Sequence, residues 1–206
     1  ETATESEYFD FTLSSIATDT WQHVVLVRAG DTCTLYIDGS FVQQVVTTGA
    51  DTLIVDSIGG TVDIDRMFNG TIDEVRVLDR QISAGWISTE YNNQEYPSTF
   101  YSVGTEEIVG GGQGGGSGFR YSKDITIDHT KINSNLNDFP VMIELFDTDL
   151  RSDVQADGDD IVFKNGTNVL DHEIELFDQT FNSTHSHLVA WIRLDLSSTV
   201  DTTITM

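Results

Sequence analysis

Apolar residues in this chain recur at every second position. The stretches "HVVLVRAG", "CTLYIDGSFVQQVV", "TIDEVRVLD", "DITID", "PVMIEL" and "HLVAWIRLDL" all alternate and are rich in β-branched side chains. A period of two puts one set of side chains on each face of a strand, which a helix cannot bury. Turn signals separate the strands: Ala29-Gly30-Asp31, Asp38-Gly39, Gly59-Gly60, Asn69-Gly70 and Asn165-Gly166. Such residues tolerate the left-handed backbone that tight turns require. The expectation is an all-β fold. One segment breaks the period. "SAGWISTEYNN", Ser83 to Asn93, opens on a capping serine and spaces Trp86, Ile87 and Tyr91 near a helical repeat. A short helix is expected near 83–93, with Pro97 barring its extension.

The run "VGGGQGGGSG", Val109 to Gly118, cannot form a packed element and reads as a flexible linker. The expected organisation is two antiparallel β-sandwich (jelly-roll-like) domains, residues 1–105 and 119–206, joined by a Gly-rich linker at 106–118.

Charge narrows the function classes. The 206 residues carry 34 acidic and 10 basic side chains, a formal net charge of −24. Nucleic acid is disfavoured as a partner, because neutralising phosphates needs clustered Lys and Arg. Anionic membrane surfaces are disfavoured for the same reason, and no apolar run is long enough to span a bilayer. The charge keeps the chain soluble but makes the compact state repel itself, a repulsion that salt or divalent cations relieve. The one cysteine, Cys33, excludes an internal disulfide and any multi-cysteine zinc site. Its neighbours alternate, so a buried, inert thiol is expected.

"WQHVVLVRAGDTCTLYIDGSFV", from Trp21, resembles the central hairpin of laminin-G-like, concanavalin A-like jelly rolls. "FNGTIDEVRVLDRQIS", Phe68 to Ser83, resembles the penultimate strand of that family. The resemblance implies a two-sheet antiparallel sandwich and no particular function, because the fold hosts lectins, adhesins, sugar hydrolases and spacers. The second half resembles a bacterial and archaeal domain of unknown function that neighbours laminin-G-like domains in large surface proteins. "DFPVMIEL" (Asp138–Leu145), "DGDDIVF" (Asp157–Phe163), "LDHEIELFD" (Leu170–Asp178) and "LVAWIRLDLSSTVDTTITM" (Leu188–Met206) carry that likeness. It implies a second β-sandwich. The first resemblance also implies further strands before Trp21, and the second a last strand continuing beyond Met206. The chain's ends are therefore expected to pair with polypeptide outside the first domain's own residues, either of a longer chain or of a neighbouring copy.

Several residues are candidates for chemistry. In "HEIELFD", Glu173 and Glu175 share a strand face, and a small bulge would bring Asp178 round to join them. Ile174 and Leu176 are expected to face the core. Glycoside hydrolases of the laminarinase type carry a similar acidic strand, and a retaining glycosidase needs two carboxyl groups about 5 Å apart. A solvated strand face accounts for the same residues and is the favoured reading, so no catalytic residue is assigned and no enzyme is expected. Asp157, Asp159 and Asp160 are candidate calcium ligands, since calcium takes several oxygens. A turn capping the strand at Ile161 explains them equally and is preferred. Asp63, Asp65 and Asp73 offer a similar choice in the first half. His185 and His187 stand two apart, too few for a metal without a third ligand. Trp21, Trp86 and Trp191 have the rings to stack on sugars, but each lies in a segment that reads as packing. Sequons stand at Asn69, Asn165 and Asn182.

The expected function is a structural or interaction module of a large extracellular surface protein or secreted filament. Its expected partners are copies of itself or adjacent domains, with glycans as the alternative. Calcium is the one cofactor considered.

The charge and the Asp-rich loops predict that calcium or high salt stabilises the fold, because a ligand bound only by the native state raises stability. Thermal melts with chelator and then with added calcium test this. A midpoint unchanged by calcium at fixed ionic strength would eliminate specific binding.

Overall fold

The computed structural model describes residues 16–46, 58–60, 68–109 and 119–206. The chain is mostly β and divides into two compact units, Glu1–Ser83 and Ala84–Met206. In the first, β1 (Val24–Ala29), β2 (Thr32–Ile37) and β3 (Ser40–Val46) form an antiparallel meander. Asp38 and Gly39 form the second turn with φ of 50° and 72°. Two consecutive positive φ values give the turn a twist that matches its strands. Asp38 tolerates this because its carboxylate accepts from the His23 backbone N–H at 3.0 Å, while its own N–H donates to the His23 carbonyl at 2.9 Å. The central strand buries Cys33, Leu35 and Ile37 on one face, as the alternation predicts. Burial raises the pKa of the Cys33 thiol, which keeps it protonated and unreactive. Thr71 to Asp79, expected as a strand, forms none, and Ile72, Val75 and Val77 are exposed there.

The second unit opens with α1 (Ala84–Glu95) and a short turn of helix, α2 (Pro97–Phe100), begun by Pro97 where its missing N–H costs nothing. The strands that follow are β4 (Tyr101–Val103), β5 (Glu107–Ile108), β6 (Tyr121–Ser122), β7 (Asp124–Ile127) and β8 (Leu136–Asp147). After α3 (Asp149–Asp153) come β9 (Lys164–Asn165), β10 (Asn168–Val169), β11 (His172–Asp178), β12 (Ser186–Leu196) and β13 (Thr202–Thr205). A five-stranded sheet runs β10-β9-β13-β7-β4, a three-stranded one β11-β12-β8, and β5 pairs with β6. Ile125, Ile127 and Ile204 of the first sheet are buried, as are Phe139, Val141, Ile143, Leu188, Ala190 and Ile192 of the second. They form the core of a sandwich. No helix among the described residues is long and apolar enough to cross a membrane.

Two features bear on organisation. The sequence groups the helix with the first domain, but its contacts lie in the second unit. Ile87 is fully buried, Trp86 packs on Phe139 at 5.0 Å between ring centroids, and α1 lies against β8. The glycine-rich run, of which residues 110–118 lie outside the described ones, is flanked by strands that pair with each other: Glu107 with Ser122, Ile108 with Tyr121.

The edge of β8 is where α1 matters most. β12 pairs with one side of β8; on the other, the backbone groups of Met142 and Glu144 face outward. Asn93, 1% exposed, meets both groups of Met142: its amide nitrogen donates to the carbonyl at 2.9 Å, and its amide oxygen accepts from the N–H at 2.7 Å. The Tyr101 hydroxyl does the same for Glu144, donating at 2.6 Å and accepting at 2.8 Å. Two residues earlier, on the same side, Pro140 has no N–H to satisfy. Two side chains thus stand in for a neighbouring strand. Burial pushes the Tyr101 hydroxyl well above its ordinary pKa, so it stays a donor.

Tyr101→Phe leaves the N–H and the carbonyl of Glu144 unpaired at modest loss of volume. It should cost about 1–3 kcal/mol, read as a lowered urea midpoint with unchanged far-UV spectrum.

Candidate functional site: an aromatic and acidic sheet face

The outward face of the three-stranded sheet gathers the residues that sequence reasoning singled out. β11 pairs with β12 from His172 opposite Ile192 to Asp178 opposite His187, with a register shift between Ile174 and Leu176. That bulge is the one anticipated from "HEIELFD". It lets Glu173, Glu175 and Asp178 all lie exposed. It also reverses an expectation: Leu176 turns outward, 42% exposed, and Phe177 takes the more sheltered side. An extra residue flips the alternation of everything after it.

Register fixes the neighbours. Asp178, His187 and Phe146 form one row across the three strands; Leu176, Val189 and Glu144 form the next; Glu173, Trp191 and Met142 form the third. The Trp191 indole N–H donates to Glu175 at 2.6 Å. Phe146 and His187 stack at 4.4 Å and 14°, and Phe181 tilts against both at 5.1 and 5.2 Å. The His187 Nε2 lies 3.0 Å from a Glu144 carboxylate oxygen. Phe146 and Phe181 are about half exposed, at 52% and 47%. Flat aromatic surface bordered by acceptors can stack on apolar or cationic groups and accept their hydrogen bonds. The histidine pair of the sequence reading is split: His185 Nδ1 bonds the neighbouring Thr184 hydroxyl, while His187 serves the aromatic group.

Asp157, Asp159 and Asp160 sit in a tight loop around Gly158, whose φ is +73°. The Asp157 carboxylate accepts from the Asp159 N–H, and the Asp160 carboxylate from the Gln155 N–H. Both bonds are those of a turn leading to Ile161. Asp63 and Asp65 lie outside the described residues; Asp73 is exposed and caps the Glu74 N–H. Asn69, Asn165 and Asn182 are all exposed, and the Asn182 amide oxygen accepts from the N–H groups of Thr184 and His185. Trp86 is buried, whereas Trp21 is 67% exposed.

Two groupings escaped the sequence reading. Among the described residues, ligand atoms of Asp128, His129 and Asp201 converge within 4.8 Å. They meet because β7 and β13 pair with Ile127 opposite Thr202, so the next residues on each strand face one another. The other surrounds Lys123, which is buried and bonds Asp147 at 2.5 Å and Asp149 at 2.7 Å. Burial alone would lower its pKa; the hydrogen bonds that Lys123 donates to the two carboxylates outweigh this and raise it. It lines a cavity of about 970 Å³ with Glu106, Asp153, Lys164 and Met206. Desolvation, then the charges of Asp149 and Asp153, raises the Glu106 pKa.

Residues 1–88 match the family model described as the concanavalin A-like lectin/glucanases superfamily. No curated protein matches the chain. Among solved structures, an S-layer domain-containing protein from Clostridium thermocellum (its residues 221–444) is 30% identical over 38% of this chain. The match spans 42% of that chain with a TM-score of 0.34, too loose a superposition to support a structural inference.

Among the described residues, three carboxylates are held below their ordinary pKa. Asp128 accepts from the Thr130 hydroxyl and N–H, Asp149 from Lys123, and Asp201 from the backbone N–H and then the ring of His129. A folded pKa below the unfolded one adds stability above the unfolded value, and that stability is lost as pH falls through the folded one. The urea midpoint should therefore hold from neutrality to about pH 4 and fall below it. Lys123→Met should shrink the fall by removing the contribution of Asp149. A midpoint flat down to about pH 3 would contradict the assignment.

Proposed function

We propose that this chain is a structural and interaction module of a large extracellular surface protein or filament, associating with copies of itself or with adjacent domains. The observation that carries the reading is the sheet face with Phe146, Phe181 and His187 at its centre. Contiguous exposed apolar surface rimmed by polar groups marks interaction sites. The same face weighs against a glycosidase. A general acid keeps its proton through burial, and Glu173 and Glu175 are both exposed. The strongly acidic composition and the second half's resemblance to surface-protein domains support an extracellular location.

A glycan-binding role is the second reading. The similarity of residues 1–88 to a superfamily that includes lectins favours it, and aromatic rings also stack on sugars.

Light scattering over a concentration series, together with a glycan array, separates the two. Self-association should rise with concentration and be lost in a Phe146→Ser, Phe181→Ser variant, with the array blank. A glycan signal abolished by that variant would favour the second reading, and a chain that stays monomeric and binds nothing would overturn both.

A further inference from the structure

We infer that α1 and Tyr101 form a removable cover over a self-pairing strand. When the cover lifts, β8 pairs antiparallel with β8 of a second copy about a two-fold axis at Met142, joining two three-stranded sheets into one. The inference rests on the reading of the chain as a self-associating module and adds a second contact, at the β8 edge, to the one proposed for the aromatic face.

Two apolar side chains of α1, Trp86 and Ile87, are buried against the sandwich, and its remaining contacts there are polar. Ser88 accepts from the Asn133 side chain and Thr89 from the Asn133 N–H, Asn92 donates to the Lys131 carbonyl, and Asn93 pairs with Met142. Apart from Trp86 and Ile87, its buried residues are Thr89, Glu90 and Asn93. Polar groups exchange their partners for water on release, so such contacts are weak in net terms. While closed, both backbone groups of Met142 and of Glu144 are satisfied, and β8 offers nothing to another strand.

The exposed edge would select a second copy in one register. With Met142 opposite Met142, each donates to and accepts from the other. Glu144 then lies opposite Pro140 and donates to its carbonyl, and Phe146 lies opposite Asp138. No carboxylate meets a carboxylate. Centring the pair on Glu144 opposes two acids, which is unfavourable. Centring it on Pro140 opposes two residues without an N–H. A shift by one residue would turn the core face of one copy outward. An isologous contact of this kind closes as a dimer. Opening gives up the buried contacts of Trp86 and Ile87 and the bonds of Asn93 and the Tyr101 hydroxyl, so the unaltered chain rests covered.

The test is Asn93→Asp with Tyr101→Phe in the full chain. The first change keeps the shape of the amide but sets a carboxylate against the Met142 carbonyl; the second frees both groups of Glu144. Light scattering should show twice the monomer mass. Adding Met142→Asp or Met142→Lys to that variant should return each to monomer, and mixing the two should restore a dimer. A folded double variant that stays monomeric would overturn the inference, as would a dimer indifferent to the charge at Met142. Should the double variant not fold, amide exchange on the unaltered chain decides. The N–H groups of Met142 and Glu144 should exchange together with α1, well before those of Val141 and Ile143, and exchange only with global unfolding would sink the idea. Association of the unaltered chain that depends on Phe146 and Phe181, with the double variant inert, would leave the module reading standing and remove only the cover.

Discussion

An unpaired strand edge is the hazard around which the second unit is arranged. Among the described residues β8 is its longest strand, and one side of it has no strand beside it. Backbone donors and acceptors left open on a long apolar strand recruit other chains. Here the edge is closed by two side chains whose geometry imitates a peptide group. An amide offers one donor and one acceptor side by side, and a phenol can both give and take a hydrogen bond. Asn93 and Tyr101 reach the same edge from a helix and from the five-stranded sheet, so closing β8 also ties three elements together. The position of α1 in the second unit follows from this.

Alternation made the strands of this unit legible, because a period of two survives in sequence whatever the neighbours. Leu188, Ala190, Ile192 and Leu194 are all buried, as their spacing implies. The bulge in "HEIELFD" was readable for a related reason: three acids spaced two and three apart share a face only if one residue is skipped. Asn93 was not readable. An asparagine near a helix end looks like a surface residue, and its worth depends on a carbonyl and an N–H almost fifty positions away. Nor could the meeting of Asp128, His129 and Asp201 be seen, since it needs the register of two strands far apart in sequence. The Thr71–Asp79 segment shows the opposite failure, in which alternation is present but no strand forms.

Charge is handled locally rather than averaged away. A chain with 34 acids and 10 bases cannot pair most of its carboxylates. Lys123 is spent on two of them at the end of β8, where Asp147 also accepts from the N–H groups of Asp149 and Leu150. Arg193 reaches Asp138 and Asp171. Elsewhere backbone N–H groups take the role of cations, as at Asp128, Asp178 and Asp201. Each such bond stabilises an anion without consuming a scarce base.

The pairing of β5 with β6 gives the glycine-rich run a different meaning from that of a tether. Its two ends are clamped together: Val109 donates to the Arg120 carbonyl at 3.0 Å. Chain closed at both ends loses entropy only as the logarithm of its length, so each doubling adds roughly 0.6 kcal/mol. The stretch can therefore gain or lose residues over evolutionary time with little effect on the sandwich beneath it. A true spacer between domains has no such freedom, because its length sets their reach. Variation in the length of this run would leave the pairing of β5 with β6 in place.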